Sequence, residues 1–187
     1  LLSLLNDILD FSKVEAGKMT LDPRPFHLDA MLENLAVILR PTIGSKPVVL
    51  RFDVEAAVPR NVVGDDMRLQ QIIGNLVSNA VKYTSHGHIE IHADVDGDGP
   101  HTMTLWVSDT GSGIAEEVLP NVFDPWFRGT REARGLGLGL SIVRSLVAQL
   151  GGTAEIKSEK GQGTRATVYI PVKVLDQQPT RPLAGSA

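Results

Sequence analysis

Two pairs of alternating stretches, each closed by a glycine-bearing turn, constrain the fold more than any other feature of the chain. Ile89 to Val95 and Thr102 to Ser108 alternate apolar and polar residues on either side of Asp96-Gly97-Asp98-Gly99-Pro100, the pattern of a half-buried hairpin. Thr153 to Lys157 and Thr164 to Val172 flank a second turn at Gly161 to Gly163 and predict two further strands. Helical periodicity fills the intervals. Leu28 to Leu39 predicts an amphipathic helix ended by Pro41, and Val48 to Val54 a strand rich in β-branched residues. Asp65 or Asp66 is suited to cap a long helix running through Lys82, with Leu69, Ile72, Ile73, Leu76, Val77 and Ala80 on its buried side. A short helical stretch is expected near Glu116 to Val122, and a helix from Leu138 to Leu150 that stops at Gly151-Gly152. Helices alternating with antiparallel hairpins predict an α+β sandwich rather than a doubly wound parallel sheet.

Composition narrows the function classes. The chain has 187 residues, 42% hydrophobic and 21% charged, which suits one compact domain with short extensions. Its 18 basic and 22 acidic residues leave a net charge of -4 with no basic cluster, so no nucleic-acid partner is expected. Cysteine is absent, which removes disulfides, thiolate metal sites and cysteine nucleophiles together. Arg40, Lys46, Arg68 and Arg144 interrupt every apolar run before it reaches the roughly 20 residues of a membrane span, so no membrane contact is expected of this piece. The chain begins at Leu1 with Leu1, Leu5 and Ile8 already at helical spacing, beside Leu2 and Leu9, as far as Phe11. It is therefore read as a cytoplasmic piece of a longer protein, cut inside a helix.

Three glycine groups carry the chemistry: Asp109-Thr110-Gly111-Ser112-Gly113-Ile114, Gly135-Leu136-Gly137-Leu138-Gly139-Leu140 and Gly161-Gln162-Gly163-Thr164. A glycine-rich turn opening a helix presents backbone N–H groups at the positive helix end, where polyphosphates are stabilised. The dinucleotide fingerprint fails because Leu140 stands where its third glycine belongs, and no P-loop pattern occurs. On the helix ending at Lys82, Asn75, Asn79 and Lys82 follow i, i+4, i+7 spacing and share one face.

With these motifs in order, the chain resembles the ATP-binding catalytic domain of a sensor histidine kinase of the hybrid type, in the Bergerat fold shared with gyrase-type ATPases and heat-shock chaperones. Asn75-Leu76-Val77-Ser78-Asn79-Ala80-Val81-Lys82-Tyr83-Thr84 is similar to the N box, Asp109 to Ile114 to the first glycine box, and Phe123-Asp124-Pro125-Trp126-Phe127-Arg128 to the F box. Gly135 to Leu140 and Gly161 to Thr164 resemble the later glycine boxes, and Asn6 to Lys18 the end of the dimerisation helices. The resemblance implies a two-layer α/β sandwich with a mixed, mostly antiparallel sheet and helices on one face. It divides the chain into part of a dimerisation helix (1–18), a connector (19–27) marked by Pro23 and Pro25, a catalytic domain (28–175) and a linker or tail (176–187).

It also implies roles. Asn79 would give an oxygen to Mg²⁺, Asn75 would position or activate the transfer, and Lys82 would meet the phosphates with Tyr83 packed on the nucleotide. Asp109 would accept a hydrogen bond from the adenine amino group, which predicts preference for ATP over GTP. Gly111 and Gly113 would let the backbone approach the base, and Ile114 and Thr164 would also belong to the nucleotide site. Phe127 and Arg128 would begin the lid, and Gly135, Leu136, Gly137, Leu138, Gly139 and Leu140 would wrap the phosphates. The γ-phosphoryl group of ATP would pass to a histidine on the dimerisation domain and on to a receiver aspartate, in a homodimeric parent kinase open to anchoring in a bacterial inner membrane.

The chain departs from the pattern in two places. His27, His86, His88, His92 and His101 lack the context of a phosphoacceptor, so the piece is expected to bind ATP without autophosphorylating efficiently alone. The lid between Arg128 and Gly135 is short, and Leu136 replaces the usual Thr or Ser, which leaves open a catalytically weak regulatory module. A non-kinase ATPase of the same superfamily is the third reading, disfavoured because gyrase-type members use Glu where Asn75 stands. His86, His88 and His92 are read as part of an exposed hairpin rather than as a metal set.

Overall fold

The computed structural model describes residues 5, 8, 9, 11–13, 16–54, 61–96, 100–127 and 136–175. Arg128, Gly135 and the lid between them, the tail 176–187 and part of the turn at 97–99 lie outside the described residues, as does most of 1–10.

The strands are β1 (Arg24–His27), β2 (Val48–Val54), β3 (Asn61–Gly64), β4 (Gly87–Val95), β5 (Thr102–Asp109), β6 (Thr153–Glu159), β7 (Gly163–Pro171) and β8 (Lys173–Val174). The helices are α1 (Leu28–Ile43), α2 (Asp66–Tyr83) and α3 (Gly139–Gln149). The main sheet has five strands in the order β2-β4-β5-β7-β6. Its pairs are antiparallel except β2 with β4, so the sheet is mixed and mostly antiparallel, as expected.

Alternation decides which face is covered. Ile89, Ile91, Ala93 and Val95 of β4, Met103, Leu105 and Val107 of β5, and Ala166, Val168 and Ile170 of β7 are buried in one core with the apolar sides of the three helices. The opposite face is open and polar, as antiparallel sheets permit. There the rings of His92 and Trp106 stack with centroids 4.8 Å apart, Arg165 lies 4.2 Å over the indole, and Asp53 meets His92 at 3.0 Å. His92 is thus a surface-ladder residue.

Asp65 is the N-cap of α2. Its Oδ1 accepts from Arg68 N at 3.0 Å and its Oδ2 from Asp22 N at 2.9 Å, which ties the preceding chain to the helix start.

Three expectations are corrected. The first helix runs through Pro41 to Ile43 rather than stopping before the proline. Pro41 lies in the last turn, so it deprives only the Val37 carbonyl of a donor, and Val37 is exposed to solvent. The stretch read as a connector contains β1, which pairs with β3 while β3 pairs with β8, forming a separate three-stranded sheet. Pro25 is tolerated because β1 is an edge strand. The stretch Glu116 to Val122 holds only a single 3₁₀ turn, Leu119–Asn121. At the N-terminus Leu5, Ile8, Leu9 and Phe11 to Lys13 are helical.

Candidate active site

The site is built where the C-terminal half of α2 faces the N-terminus of α3 and the end of β5. Asn75 and Asn79 are partly exposed, four residues apart on α2, beside the buried stripe of Leu76, Val77 and Ala80. Across from them is Gly139, the first residue of α3. A side chain there would stand 3.6 Å from Asn79 Nδ2, 3.9 Å from Asn79 Oδ1 and 4.0 Å from Asn75 Oδ1. The two carboxamides therefore converge on a helix N-terminus that has no side-chain cap, an arrangement of free N–H groups and amide oxygens suited to a phosphate with its counterion. Lys82 is exposed in the last turn of α2, its Nζ 4.8 Å from the Tyr83 ring centre.

On the other side, β5 delivers Asp109. Its Oδ1 accepts from Gly111 N at 2.8 Å, and the Thr164 amide and Thr84 hydroxyl also bear on the carboxylate. Burial pushes its pKa above the ordinary aspartate value, opposed by these donors. A half-buried carboxylate that already takes these donors has capacity left to accept one more.

The glycine box that follows is stitched to the β6–β7 hairpin. Ser158 Oγ accepts from Ile114 N at 2.8 Å, donates to Gly163 O at 2.7 Å and lies 2.9 Å from Thr164 Oγ1, while Gly161 N donates to Ser112 O at 2.7 Å. Gly113, at φ 64, packs so closely on the Glu159 carbonyl that a β-carbon would overlap it. Gly137, at φ 76, rests in the same way on the Trp126-Phe127 peptide, which joins the F box to the start of α3.

Most of the expected residues thus fall into two groups. Asn75, Asn79, Leu136, Gly137, Leu138, Gly139 and Leu140 gather around α3, and Asp109, Gly111, Gly113 and Thr164 around the end of β5. The side chain of Leu138 is in the core, and its carbonyl takes Ser141 Oγ and Ile142 N at the start of the helix. Ile114 lines an open groove with Glu116, Ser158 and Lys160. Phe127 is anchored by its N–H to Asp124 O at 3.2 Å. Sequence reasoning gave no role to three contributors: Ser158, Thr84 and Lys46, whose Nζ binds Val81 O at 2.5 Å and Thr84 O at 3.1 Å and so closes the C-terminus of α2. The inward position of Ser158 on β6, beside a Gly-Gln-Gly turn, was the one available signal.

Residues 64–174 match the family of histidine kinase-, DNA gyrase B- and HSP90-like ATPases. The chain is 41% identical over 180 residues to the autoinducer 2 sensor kinase/phosphatase LuxQ of Vibrio parahaemolyticus, covering 92% of this chain and 21% of that protein. It is 39% identical over 176 residues to the sensor histidine kinase RcsC of Escherichia coli, covering 92% of this chain and 18% of that one. Among solved structures, full-length ShkA in complex with AMPPNP matches with a TM-score of 0.82 and 31% identity, over 92% of this chain and 36% of ShkA. The chain therefore spans about a fifth of the length of these curated relatives. With the converging asparagines, the open helix N-terminus and the half-buried carboxylate in place, the chain belongs to the histidine kinase-, DNA gyrase B- and HSP90-like ATPase family, as an ATP-binding catalytic domain of the sensor histidine kinase type.

Proposed function

We propose that this chain presents the γ-phosphoryl group of ATP to a histidine on the dimerisation domain of its kinase, from which the group passes to a receiver aspartate in the same chain or in a response regulator. The observation that carries this reading is the convergence of Asn75 and Asn79 on the start of α3, opposite the Asp109 cluster. That spacing separates a polyphosphate end from a base end within one site.

Asp109 accepts the exocyclic amino group of adenine; guanine would oppose a carbonyl oxygen to the carboxylate. Gly111 and Gly113 let the backbone approach the base, and the free N–H groups of α3 hold phosphate oxygens. Lys82 adds a positive charge. Asn79, with Asn75 beside it, offers neutral oxygen donors that fit Mg²⁺, which favours oxygen ligands and commonly takes only one or two from protein. When bound, the ion supplies neutralisation of phosphate charge. These residues hold and orient, consistent with a transfer that depends mainly on positioning and electrostatics. Asn75 has no carboxylate to activate water, which favours transfer to a protein over hydrolysis.

The domain extends over 28–175, preceded by the end of a dimerisation helix, and the parent protein is a homodimer with its catalytic domain on the cytoplasmic side. No helix among the described residues is long and apolar enough to cross a membrane. Calorimetry with AMPPNP and with the matching GTP analogue, each with and without Mg²⁺, tests the reading. Binding that depends on Mg²⁺ and selects adenine is expected. Equal affinity for both bases overturns the Asp109 assignment, and no binding at all favours a regulatory module.

A further inference from the structure

Thr84 lies just beyond α2 and is wholly buried, yet its hydroxyl has no partner in full hydrogen-bond geometry. Buried hydroxyls are nearly always satisfied, and leaving one unsatisfied costs stability. The backbone of Thr84 gives it no reason to be there: its N–H donates to Ala80 O and its carbonyl takes Lys46 Nζ. Both bonds would persist with any side chain.

The place where this hydroxyl points is defined by Gly111. A β-carbon on Gly111 would stand 2.8 Å from Asp109 Oδ1, 2.9 Å from Thr84 Oγ1 and 2.5 Å from Tyr83 O. The carboxylate and the hydroxyl thus converge on one small volume that only glycine leaves free. We infer that Thr84 is a positioning residue for nucleotide recognition, its hydroxyl turning to donate to the Asp109 carboxylate and holding that group ionised and aimed at the base. This rests on the reading of Asp109 as the adenine acceptor.

The electrostatics agree with the geometry. Among the described residues, the groups bearing on Asp109 are the Gly111 and Thr164 amides and the Thr84 hydroxyl, all lowering its pKa against burial, with no charged side chain among them. Lys82, Tyr83 and His86, the nearest titratable groups to Thr84 along the chain, do not enter. Adenine binding requires the ionised carboxylate, so affinity falls on the acid side as Asp109 takes up a proton. Without the hydroxyl that acid limb moves to higher pH.

The test compares AMPPNP affinity from pH 4.5 to 8 at fixed Mg²⁺, with thermal melts, for the parent chain, Thr84→Val, Thr84→Ser and Asp109→Asn. Expected for Thr84→Val are a cooperative melting transition, which shows that the variant folds, and an acid limb shifted upward by about one pH unit. Thr84→Ser restores the parent profile. An unchanged profile in Thr84→Val, with adenine selectivity lost in Asp109→Asn, overturns the proposal and leaves the Asp109 reading standing. A lowered melting temperature with affinity reduced equally at every pH also overturns it, as a merely structural role. Adenine selectivity retained in Asp109→Asn overturns both.

Discussion

Phe11 and Trp126 meet edge to face, with ring centroids 5.9 Å apart and planes inclined by 72°. Phe11 belongs to the helical N-terminal stretch and is buried; Trp126 belongs to the F box, and among the described residues it is the non-glycine residue at positive φ, 66°. The same Trp126-Phe127 peptide carries Gly137, two residues before α3. The ring pair therefore connects the N-terminal helix to the segment that leads into the phosphate end of the site. Truncating either ring to Ala should destabilise the fold, and the double variant should show a coupling of about 0.5–1.5 kcal/mol in a mutant cycle by urea denaturation. Strict additivity would mean that the two rings merely adjoin.

Asn79→Ala should lower Mg²⁺-dependent AMPPNP affinity by roughly tenfold to a hundredfold, the loss of one oxygen contact to a charged group. Asn79 is partly exposed on a helix, and Ala favours helices, so stability should stay within about 0.5 kcal/mol. Calorimetry with and without Mg²⁺ separates the metal from the nucleotide: an equal loss in both series would remove Asn79 from the metal.

Asp109→Asn should make the ligand-free protein more stable at neutral pH. Burial holds the Asp109 carboxyl above its ordinary pKa. Its protonated form is therefore favoured by folding, a contribution that is complete below the unfolded value and lost as pH rises through the folded one. Asparagine, neutral throughout, keeps that contribution. Melting curves at pH 7 and near pH 4 should show a gain at the first and almost none at the second, while adenine binding is lost. A gain independent of pH would point to a cause other than the charge.

Gly113→Ala should cost more than Gly161→Ala. Both glycines have positive φ, 64° and 85°, but an added methyl overlaps the Glu159 carbonyl at Gly113 and meets nothing within 4 Å at Gly161. The second change isolates the conformational cost, about 1 kcal/mol; the first adds the displacement of a backbone contact and should reach about 2–3 kcal/mol in denaturant titrations. Equal losses would show that the loop shifts freely away from the hairpin.

The periodic elements were legible because periodicity is a local property. Alternation in Ile89 to Val95 and Thr102 to Ser108, and the apolar stripe from Leu69 to Ala80, commit those residues to a face wherever the chain goes. The same holds for the spacing of Asn75 and Asn79, and for the glycines, whose positive φ at Gly113, Gly137 and Gly163 is a demand of the backbone itself. The small sheet of β1, β3 and β8 escaped notice because Val62 finds Val174 only across a long stretch of chain, and a two-residue strand carries no pattern of its own.

What the amino-acid order determined alone was therefore the class of fold, the family and the residue types of the site. What only the tertiary structure decided was which of those residues meet. Asp109 acquires its raised pKa from burial, Ser158 becomes the knot between two glycine boxes, and Thr84 comes to face a carboxylate 25 positions away. Desolvation and hydrogen-bond direction depend on what surrounds an atom in space, and neighbours along the chain do not specify that.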